Sequence, residues 1–253
     1  MRCSSIKKID NIKYPAIVQT KADGVFCNVI IKGGNVEFVS RNGTKFRMSA
    51  LAEEFKAMGV DNVVFNGEVL IKTADGVMDR KTGNGLVNKL IKCDQTTASL
   101  EDKLAEAKPT RRSKIQNELN DYLEELDNIK ANVIIEVWDM INYESWTDGL
   151  DTTPYYDRMV NLIEAVEHNG TEGNRVNIIE THYVKNEDEA RAYFMKMVDE
   201  GKEGAVLKNR DLPWKDHTSP NQIKLKQILD CDLKIVGWYP AERGSAFDGG
   251  IGG

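Results

Sequence analysis

The alternation of apolar and polar positions near the start of the chain predicts β-strands. Residues 16–18 form an apolar run that is typical of a buried strand, and in 25–32 alternate residues divide between two faces. A glycine pair follows at 33–34, and such a pair between two alternating segments indicates a hairpin turn. We therefore expect three strands joined by turns from residue 14 to residue 40.

After these strands, stretches with helical spacing alternate with short apolar runs. The helices that this spacing predicts are 49–58, 86–91, a polar stretch at 98–130, 151–167 and 186–200. The further predicted strands are 62–71, 133–141, 176–184, 205–208, 223–228 and 233–238, with Trp138 at the end of the strand 133–141. Antiparallel strands with helices at their periphery predict an α+β fold.

The stretch 98–130 is the most polar part of the chain. Apolar residues keep helical spacing on both sides of Pro109, so this proline is expected to divide a helical hairpin. Two interpretations of the insertion, 97–130, stay open. It is either a pair of solvated accessory helices or an insertion that faces nucleic acid through Lys108, Arg111, Arg112 and Lys114.

Composition narrows the class of protein without identifying it. Of the 253 residues, 41% are hydrophobic and 29% are charged, which is ordinary for a soluble protein. No apolar run is long enough for a transmembrane helix, and residues 1–5 lack the apolar core of a signal peptide. The scattered cysteines argue for reduced thiols in a cytosol and against a zinc site. The net charge of −6 argues against nucleic-acid binding by bulk charge, but not through a local basic groove.

Six short motifs follow one another along the chain and contain residues suited to chemistry on a nucleotide. They are Gln19-Thr20-Lys21-Ala22-Asp23-Gly24, Ser40-Arg41-Asn42-Gly43, Asn66-Gly67-Glu68-Val69, Val137-Trp138-Asp139, Glu203-Gly204-Ala205-Val206-Leu207-Lys208 and Ile223-Lys224-Leu225-Lys226. An ordinary lysine is protonated at neutral pH, so Lys21 needs burial or neighbouring cations before it can act as a nucleophile.

The other motifs supply partners for such a lysine. Lys224 and Lys226 stand two positions apart on a strand, so both are expected on one side of the sheet, where they would neutralise a phosphate and favour the neutral amine of Lys21. Glu68 and Glu203 carry the carboxylates that a hard cation such as Mg²⁺ prefers. Trp138 offers a flat face on which adenine could stack.

This ordered set resembles the ATP-dependent DNA ligases, in particular those of T-even-like bacteriophages. The resemblance covers nearly the whole chain. It implies an antiparallel-sheet nucleotidyltransferase (ATP-grasp-like) domain at 1–230, followed at 231–253 by the start of an oligonucleotide-binding barrel that is cut short. It also implies an enzyme in which Lys21 attacks the α-phosphate of ATP, passes the adenylate to a 5′-phosphate and seals a nick in duplex DNA. The expected setting is a monomer in the host cytoplasm, without membrane contact.

The resemblance assigns a role to each candidate residue. The nucleotide contacts that it implies are Gln19, Thr20, Arg41, Glu68, Trp138, Lys224 and Lys226, with Gln19 at the adenine. The implied Mg²⁺ ligands are Glu68 and Glu203, and the implied nucleic-acid contacts are Asp23 and Arg41.

Two departures from the family pattern and two competing functions stay open. Phe26 stands where many members carry an arginine. The chain also stops soon after the barrel would begin, so a catalytic core is expected and not a whole enzyme. An RNA ligase or a capping-type nucleotidyltransferase would share the lysine, the glutamates and the lysine pair. The other alternative is a catalytically silent binding module, or a domain that is inactive without its barrel.

Overall fold

A computed structural model of the chain describes residues 1–167, 175–226, 234, 236–245 and 248–251. Its strands, numbered in chain order, are β1 (Arg2–Ser5), β2 (Ala16–Thr20), β3 (Val25–Lys32), β4 (Asn35–Val39), β5 (Lys45–Phe46), β6 (Val63–Thr73), β7 (Gly76–Val77), β8 (Val133–Asn142), β9 (Leu150–Asp151), β10 (Val176–Ile178), β11 (Thr181–Val184), β12 (Gly204–Lys208), β13 (Trp214–Lys215) and β14 (Thr218–Lys226). Its helices are α1 (Ser49–Ala57), α2 (Arg80–Glu106), α3 (Pro109–Lys130), α4 (Tyr143–Thr147), α5 (Tyr155–Glu167), α6 (Glu187–Asp199) and a 3₁₀ helix at Ile6–Asn11.

Most of the strands belong to two sheets. The first sheet has the order β1-β14-β12-β2-β11, and the second has the order β10-β8-β6-β3-β4-β5, with β7 paired to β6. Neighbouring strands are antiparallel, except that β1 is parallel to β14 and β10 is parallel to β8. This mixture of mainly antiparallel sheets and surrounding helices confirms the predicted α+β class.

The first sheet has one apolar and one polar face. Val18, Leu207 and Leu225 are buried on the face that packs against α6. The residues that alternate with them, such as Lys208 and Lys226, point to the other face and line a cleft. One face of this sheet therefore packs in the hydrophobic core, and the other face lines the cleft.

The second sheet carries the larger core. Phe65, Val69 and Ile135 pack with apolar residues of α1, α2 and α5 in one continuous cluster. The opposite face includes polar side chains that line the same cleft. Among them, the amide of Asn66 donates a 2.8 Å hydrogen bond to the side-chain oxygen of Asn28. The cleft is thus enclosed by the two sheets.

Strand β8 differs from its prediction, because it does not end at Trp138. It continues to Asn142, and its pairing with β6 shifts register in the middle, with Val137 opposite Gly67 and Asp139 opposite Asn66. Trp138 is the additional residue of a β-bulge, a feature that re-aims side chains and that the apolar pattern does not reveal.

The single strand predicted at 176–184 is in fact two strands in different sheets. β10 extends the second sheet, whereas β11 forms an edge of the first. Between them, Ile179 is buried in a small cluster with Ala22 and Leu70. The chain crosses from one sheet to the other at this point, which an apolar run alone cannot indicate.

Helices α2 and α3 form the predicted helical hairpin, but α2 begins earlier than expected. It runs without a break from Arg80 to Glu106 and passes through two glycines. Asp79 explains its start, because the carboxylate accepts hydrogen bonds from the backbone N–H groups of Lys81 and Thr82 at 3.0 and 3.1 Å. Within the described ranges, no helix is both long and apolar enough to span a membrane.

The predicted start of a barrel falls partly outside the described residues. The boundary at 230/231 and positions 227–228, 233 and 235 of the predicted strands lie outside them. The described residues of 233–238 form no strand, and Pro240 and Ile251 form one isolated antiparallel bridge. In the part of the chain that the structure describes there is no closed barrel, and the barrel start stays a prediction.

Candidate active site

The predicted site residues come together at one cleft of about 1100 Å³ between the two sheets. Of those residues, Glu203 alone does not line the cleft, and it contacts two lysines that do. The cleft-lining members are Gln19, Thr20, Lys21, Asp23, Arg41, Glu68, Trp138, Lys224 and Lys226.

Lys21 follows β2 directly and is held in place by its neighbour β12. The backbone N–H of Lys21 donates to the carbonyl of Gly204 at 2.9 Å. Gly204 has a φ of 142°, and a Cβ at this position would collide with the carbonyl of Leu225. A glycine is therefore required here, and it brings the preceding residue, Glu203, beside Lys21.

Glu203 joins the nucleophile candidate to the lysine pair. Its carboxylate contacts the ammonium group of Lys21 through one oxygen and that of Lys226 through the other. Burial raises the pKa of Glu203, but the hydrogen bonds from Lys21 and Lys226 outweigh this effect, so its pKa lies below the ordinary value. Glu203 is thus an ionised carboxylate between two cations.

This ion pair adds a partner of Lys21 that the sequence did not indicate. The charge in direct contact with Lys21 is the Glu203 carboxylate, and the expectation that the lysine pair favours the neutral amine of Lys21 stays a prediction. The geometry of the pair itself follows the prediction. Lys224 and Lys226 are exposed on the cleft side of β14, while Leu225 between them is buried on the other side.

Glu68 lies on β6 opposite the lysine loop. One of its carboxylate oxygens accepts a 2.7 Å hydrogen bond from the backbone N–H of Gly24. Burial raises the pKa of Glu68 to about 7, although the Gly24 hydrogen bond and the charges of Lys21 and Arg41 oppose the shift. A Cβ at residue 24 would collide with the carbonyl of Val69, so the loop from Lys21 to Gly24 approaches β6 more closely than any other residue type would allow.

The carboxylates suit Mg²⁺ in kind, but they do not form a complete metal site. In the described part of the chain, no group of three or more His, Cys, Asp or Glu residues could hold a metal ion. Mg²⁺ is commonly bound by one or two carboxylates together with substrate phosphates. Glu68 and Glu203 therefore fit a cation that arrives with a nucleotide, and their role as Mg²⁺ ligands stays a prediction.

Phe26, which stands where many family members carry an arginine, contacts both an aromatic ring and an arginine at the cleft. The rings of Phe26 and Trp138 have their centroids 6.1 Å apart, and the guanidinium of Arg41 lies 5.0 Å from the Phe26 centroid. Phe26 thus forms a cation–π contact with Arg41. The residue that stands in place of the family arginine therefore contacts another arginine of the cleft.

Gln19 is less accessible than its predicted adenine contact requires. The residue is 1% exposed, and its amide donates to the Thr181 hydroxyl at 2.9 Å. Its side-chain oxygen lies 3.0 Å from the Tyr155 hydroxyl. The carboxamide is therefore already bonded inside the protein, and its contact with a base stays a prediction.

Thr20 and Asp23 also have partners within the protein. The Thr20 hydroxyl lies 2.8 Å from the Tyr193 hydroxyl on the α6 side of the sheet, so its side chain points away from the cleft. Asp23 forms an ion pair with Arg80 at 3.1 Å. The backbone of Thr20 is the part that remains for a nucleotide in the cleft, and the predicted nucleotide contact of Thr20 stays a prediction.

The sequence interpretation missed a buried group beneath the cleft. Lys208 is 2% exposed, and its ammonium donates a 3.1 Å hydrogen bond to the Tyr155 hydroxyl. Burial lowers the pKa of Lys208 to about 8. Beside it, Asp139 accepts two hydrogen bonds from Arg158, at 2.8 and 3.0 Å. The alternation in β12 could have placed Lys208 on the cleft side, but nothing in the sequence links Asp139 to Arg158.

Two mainly antiparallel sheets that enclose a cleft with a lysine, two glutamates and a lysine pair define the class of nucleotidyltransferase adenylation domains. Residues 1–226 match the family model for the ATP dependent DNA ligase domain, and the chain belongs to that family. The resemblance found in the six motifs is thereby confirmed.

Individual relatives agree with this assignment. The chain is 28% identical to the DNA ligase of Enterobacteria phage T6 and 27% identical to that of phage T4, in each case over 95% of this chain and 50% of the relative. It spans about half the length of these curated relatives.

Solved structures show the same fold. Pmar-Lig_PreS3 is similar with a TM-score of 0.70 and 18% identity, over 99% of this chain and 50% of that one. The ATP-dependent DNA ligase from bacteriophage T7, in complex with ATP, gives a TM-score of 0.60 and 18% identity, over 99% of this chain and 75% of that one.

Proposed function

We propose that the chain is the adenylation core of an ATP-dependent DNA ligase that seals nicks in duplex DNA. The observation that carries the proposal is the contact of Glu203 with both Lys21 and Lys226, beside a cleft that Glu68 and Trp138 line. These groups supply a nucleophile, an acceptor for its proton and a positive charge to balance a phosphate. Membership of the ligase domain family supports the same chemistry.

In the first step, the lone pair of the Lys21 amine forms a bond to the α-phosphorus of ATP. The bond from that phosphorus to the bridging oxygen of the β-phosphate breaks, and pyrophosphate leaves. Before the attack, the Lys21 ammonium must lose a proton, and Glu203 is the carboxylate that contacts it. Nucleotide phosphates would compete for Lys226, and once Glu203 loses that contact its affinity for a proton increases.

The remaining charges at the cleft serve the phosphates. Lys224 and Lys226 lie on one face of β14, so both can approach the α-phosphate as negative charge develops on its oxygens. Glu68 would hold Mg²⁺, and Glu203 would join it as a ligand only in its unprotonated form; the cation supplies further positive charge when it is bound. With a pKa of about 7, Glu68 is only partly ionised at neutral pH, and a cation would favour its ionised form.

The base and the nucleic acid would occupy the rest of the cleft. We assign the adenine to the face of Trp138, and the nicked strand to the rim that Asp23 and Arg41 form. In the second step, an oxygen of the 5′-phosphate attacks the adenylate phosphorus, and the bond to Lys21 breaks. In the third step, the 3′-hydroxyl attacks the activated 5′-phosphate, and AMP leaves. We place this reaction in a monomer in the host cytoplasm.

Mass spectrometry after incubation with ATP and Mg²⁺ tests the first step. We expect one added adenylate on the chain, a much weaker signal with GTP, and no adduct on a folded Lys21→Ala variant. A nick-sealing assay with DNA or RNA on either side of the break then tests the substrate. Sealing of RNA nicks in preference to DNA nicks, or equal labelling by GTP, would contradict the proposal.

A further inference from the structure

The tip of the α2–α3 hairpin carries a charge that the chemistry of the cleft does not use. Four of the seven residues at 108–114 are lysine or arginine, and none is acidic. The next sixteen residues of α3, 115–130, contain five acidic residues and one lysine. The end of α2 at 101–107 adds three acidic residues and one lysine, so 101–114 hold five basic and three acidic residues and keep a net positive charge. The basic residues of the tip are Lys108, Arg111, Arg112 and Lys114.

These four side chains are exposed, and within the described ranges none of them forms an ion pair. They stand at the beginning of α3, whose first turn has no acidic residue and whose N-cap residue, Lys108, makes no side-chain capping hydrogen bond. The positive end of a helix dipole favours anions and is destabilised by cations. The carboxyl-terminal end of α2 lies at the same tip and favours cations, and Arg112 donates a 3.3 Å hydrogen bond to the carbonyl of Ala107 there. Among the described residues, the charges of the four side chains stay without an acidic partner, so an anion can approach them.

The hairpin holds this tip far from the cleft. Arg80, the first residue of α2, lines the cleft. The helix has 27 residues, which at 1.5 Å per residue places its far end about 40 Å from Arg80 along the helix axis. Lys89 of α2 contacts Glu125 of α3, and this ion pair, together with the buried Leu100 and Leu119, braces the two helices. Contacts between α2 and α3 therefore hold the tip in a defined position relative to the rest of the hairpin.

We infer that the hairpin tip is a second contact for duplex DNA, which binds backbone phosphates at a distance from the nick. This inference rests on the proposed function, because it takes the nick to lie at the cleft. A distance of ~40 Å corresponds to about 12 base pairs at 3.4 Å each. The acidic body of α3 would repel the duplex, so the contact is confined to the tip.

The test compares a tip variant, Arg111→Gln with Arg112→Gln, with a control that removes the same charge elsewhere. Lys13→Gln with Lys185→Gln is suitable, because both lysines are exposed near the end of the first sheet where Val184 pairs with Ala16, at the other end of β2 from Lys21. Glutamine forms helices well. The tip variant loses the exposed hydrogen bond from Arg112 to Ala107, so it should stay close to the native chain in thermal unfolding without exceeding it.

Fluorescence anisotropy measures the binding of both variants to nicked duplexes with arms of about 6 or about 18 base pairs on either side, lengths chosen around the ~12 base-pair span. We expect the tip variant to lose at least about tenfold in affinity for the long-armed duplex at low salt, and to lose about 2 from the salt slope of its binding constant. The short-armed duplex should bind the tip variant and the native chain equally. The inference would be overturned if the tip variant lost no more affinity than the control, or if its loss of affinity were the same for both arm lengths. Either result is expected if an acidic protein, and not DNA, binds the tip.

Self-adenylation of the same variants keeps the two proposals apart. If the native chain adenylates Lys21 but the tip variant binds the duplex as well as the native chain does, the inference is overturned and the proposed function is left in place. A native chain without adenylation would contradict the proposed function, whatever the tip contributes to binding.

Discussion

Glu203 contacts Lys21 directly, although 182 positions separate them in the sequence. The same carboxylate also contacts Lys226. One carboxylate therefore joins the candidate nucleophile to the lysine pair. Under the proposed function, nucleotide phosphates compete for these lysines, and loss of the Lys21 proton would be coupled to the arrival of ATP.

Replacement of Glu203 by glutamine tests this coupling. Because an amide cannot accept the Lys21 proton, we expect Glu203→Gln to slow single-turnover adenylation by about 100-fold or more. Part of the rate should return as the pH rises, since water and hydroxide then take the proton. Glu200→Gln is a matched control, because Glu200 pairs with Lys202 at the surface, away from the cleft. Rescue by added Mg²⁺ at constant pH would instead show that Glu203 acts only as a metal ligand.

Glu68 predicts a pH dependence of stability. Burial raises its pKa from 4.5 to about 7, so the folded chain keeps a proton that the unfolded chain has released. The free energy of unfolding should therefore fall as the pH rises between those two values. Relative to Glu68→Gln, which does not titrate, the native chain should lose about 3 kcal/mol across this range. Urea denaturation in the absence of nucleotide measures the difference, and a constant difference would contradict the pKa assignment.

Gly24 should tolerate no side chain. A Cβ there would collide with the carbonyl of Val69 and come within 2.6 Å of Leu70. We expect Gly24→Ala to cost about 1–3 kcal/mol of stability and to move the loop that carries Lys21. Gly85→Ala is the control, because Gly85 lies inside α2 with nothing within 4 Å of its Cβ position. That change should stabilise the chain by about 0.5–1 kcal/mol, and equal effects of the two changes on unfolding would contradict the steric argument.

The sequence was informative wherever short-range pattern decides the structure. Alternation along β14 placed Lys224 and Lys226 on one face and Leu225 on the other, as the structure confirms. The order of the six motifs indicated the family to which the chain belongs. Both signals are local, because a strand repeats every two residues and each motif is contiguous.

The remainder depends on contacts between distant segments. The bulge at Trp138 arises from the pairing of β8 with β6, and the long α2 arises because Asp79 caps its start despite two glycines. The Glu203 contact with Lys21 requires β12 to lie beside β2. The hydrophobic periodicity of the sequence does not indicate which strands pair. The buried side chain of Gln19 likewise follows from Tyr155 and Thr181, which are far away in the chain.

The central claim is that Lys21, and no other lysine of the cleft, carries the adenylate. Lys208, Lys224 and Lys226 line the same cleft, so a total mass alone does not identify the nucleophile. The most direct measurement is peptide mapping by tandem mass spectrometry of the native chain after reaction with ATP and Mg²⁺, under alkaline conditions that preserve a phosphoramidate bond. We expect the adenylate on the peptide that contains Lys21, and an adenylate on Lys208, Lys224 or Lys226 would contradict the assignment of Lys21 as the nucleophile.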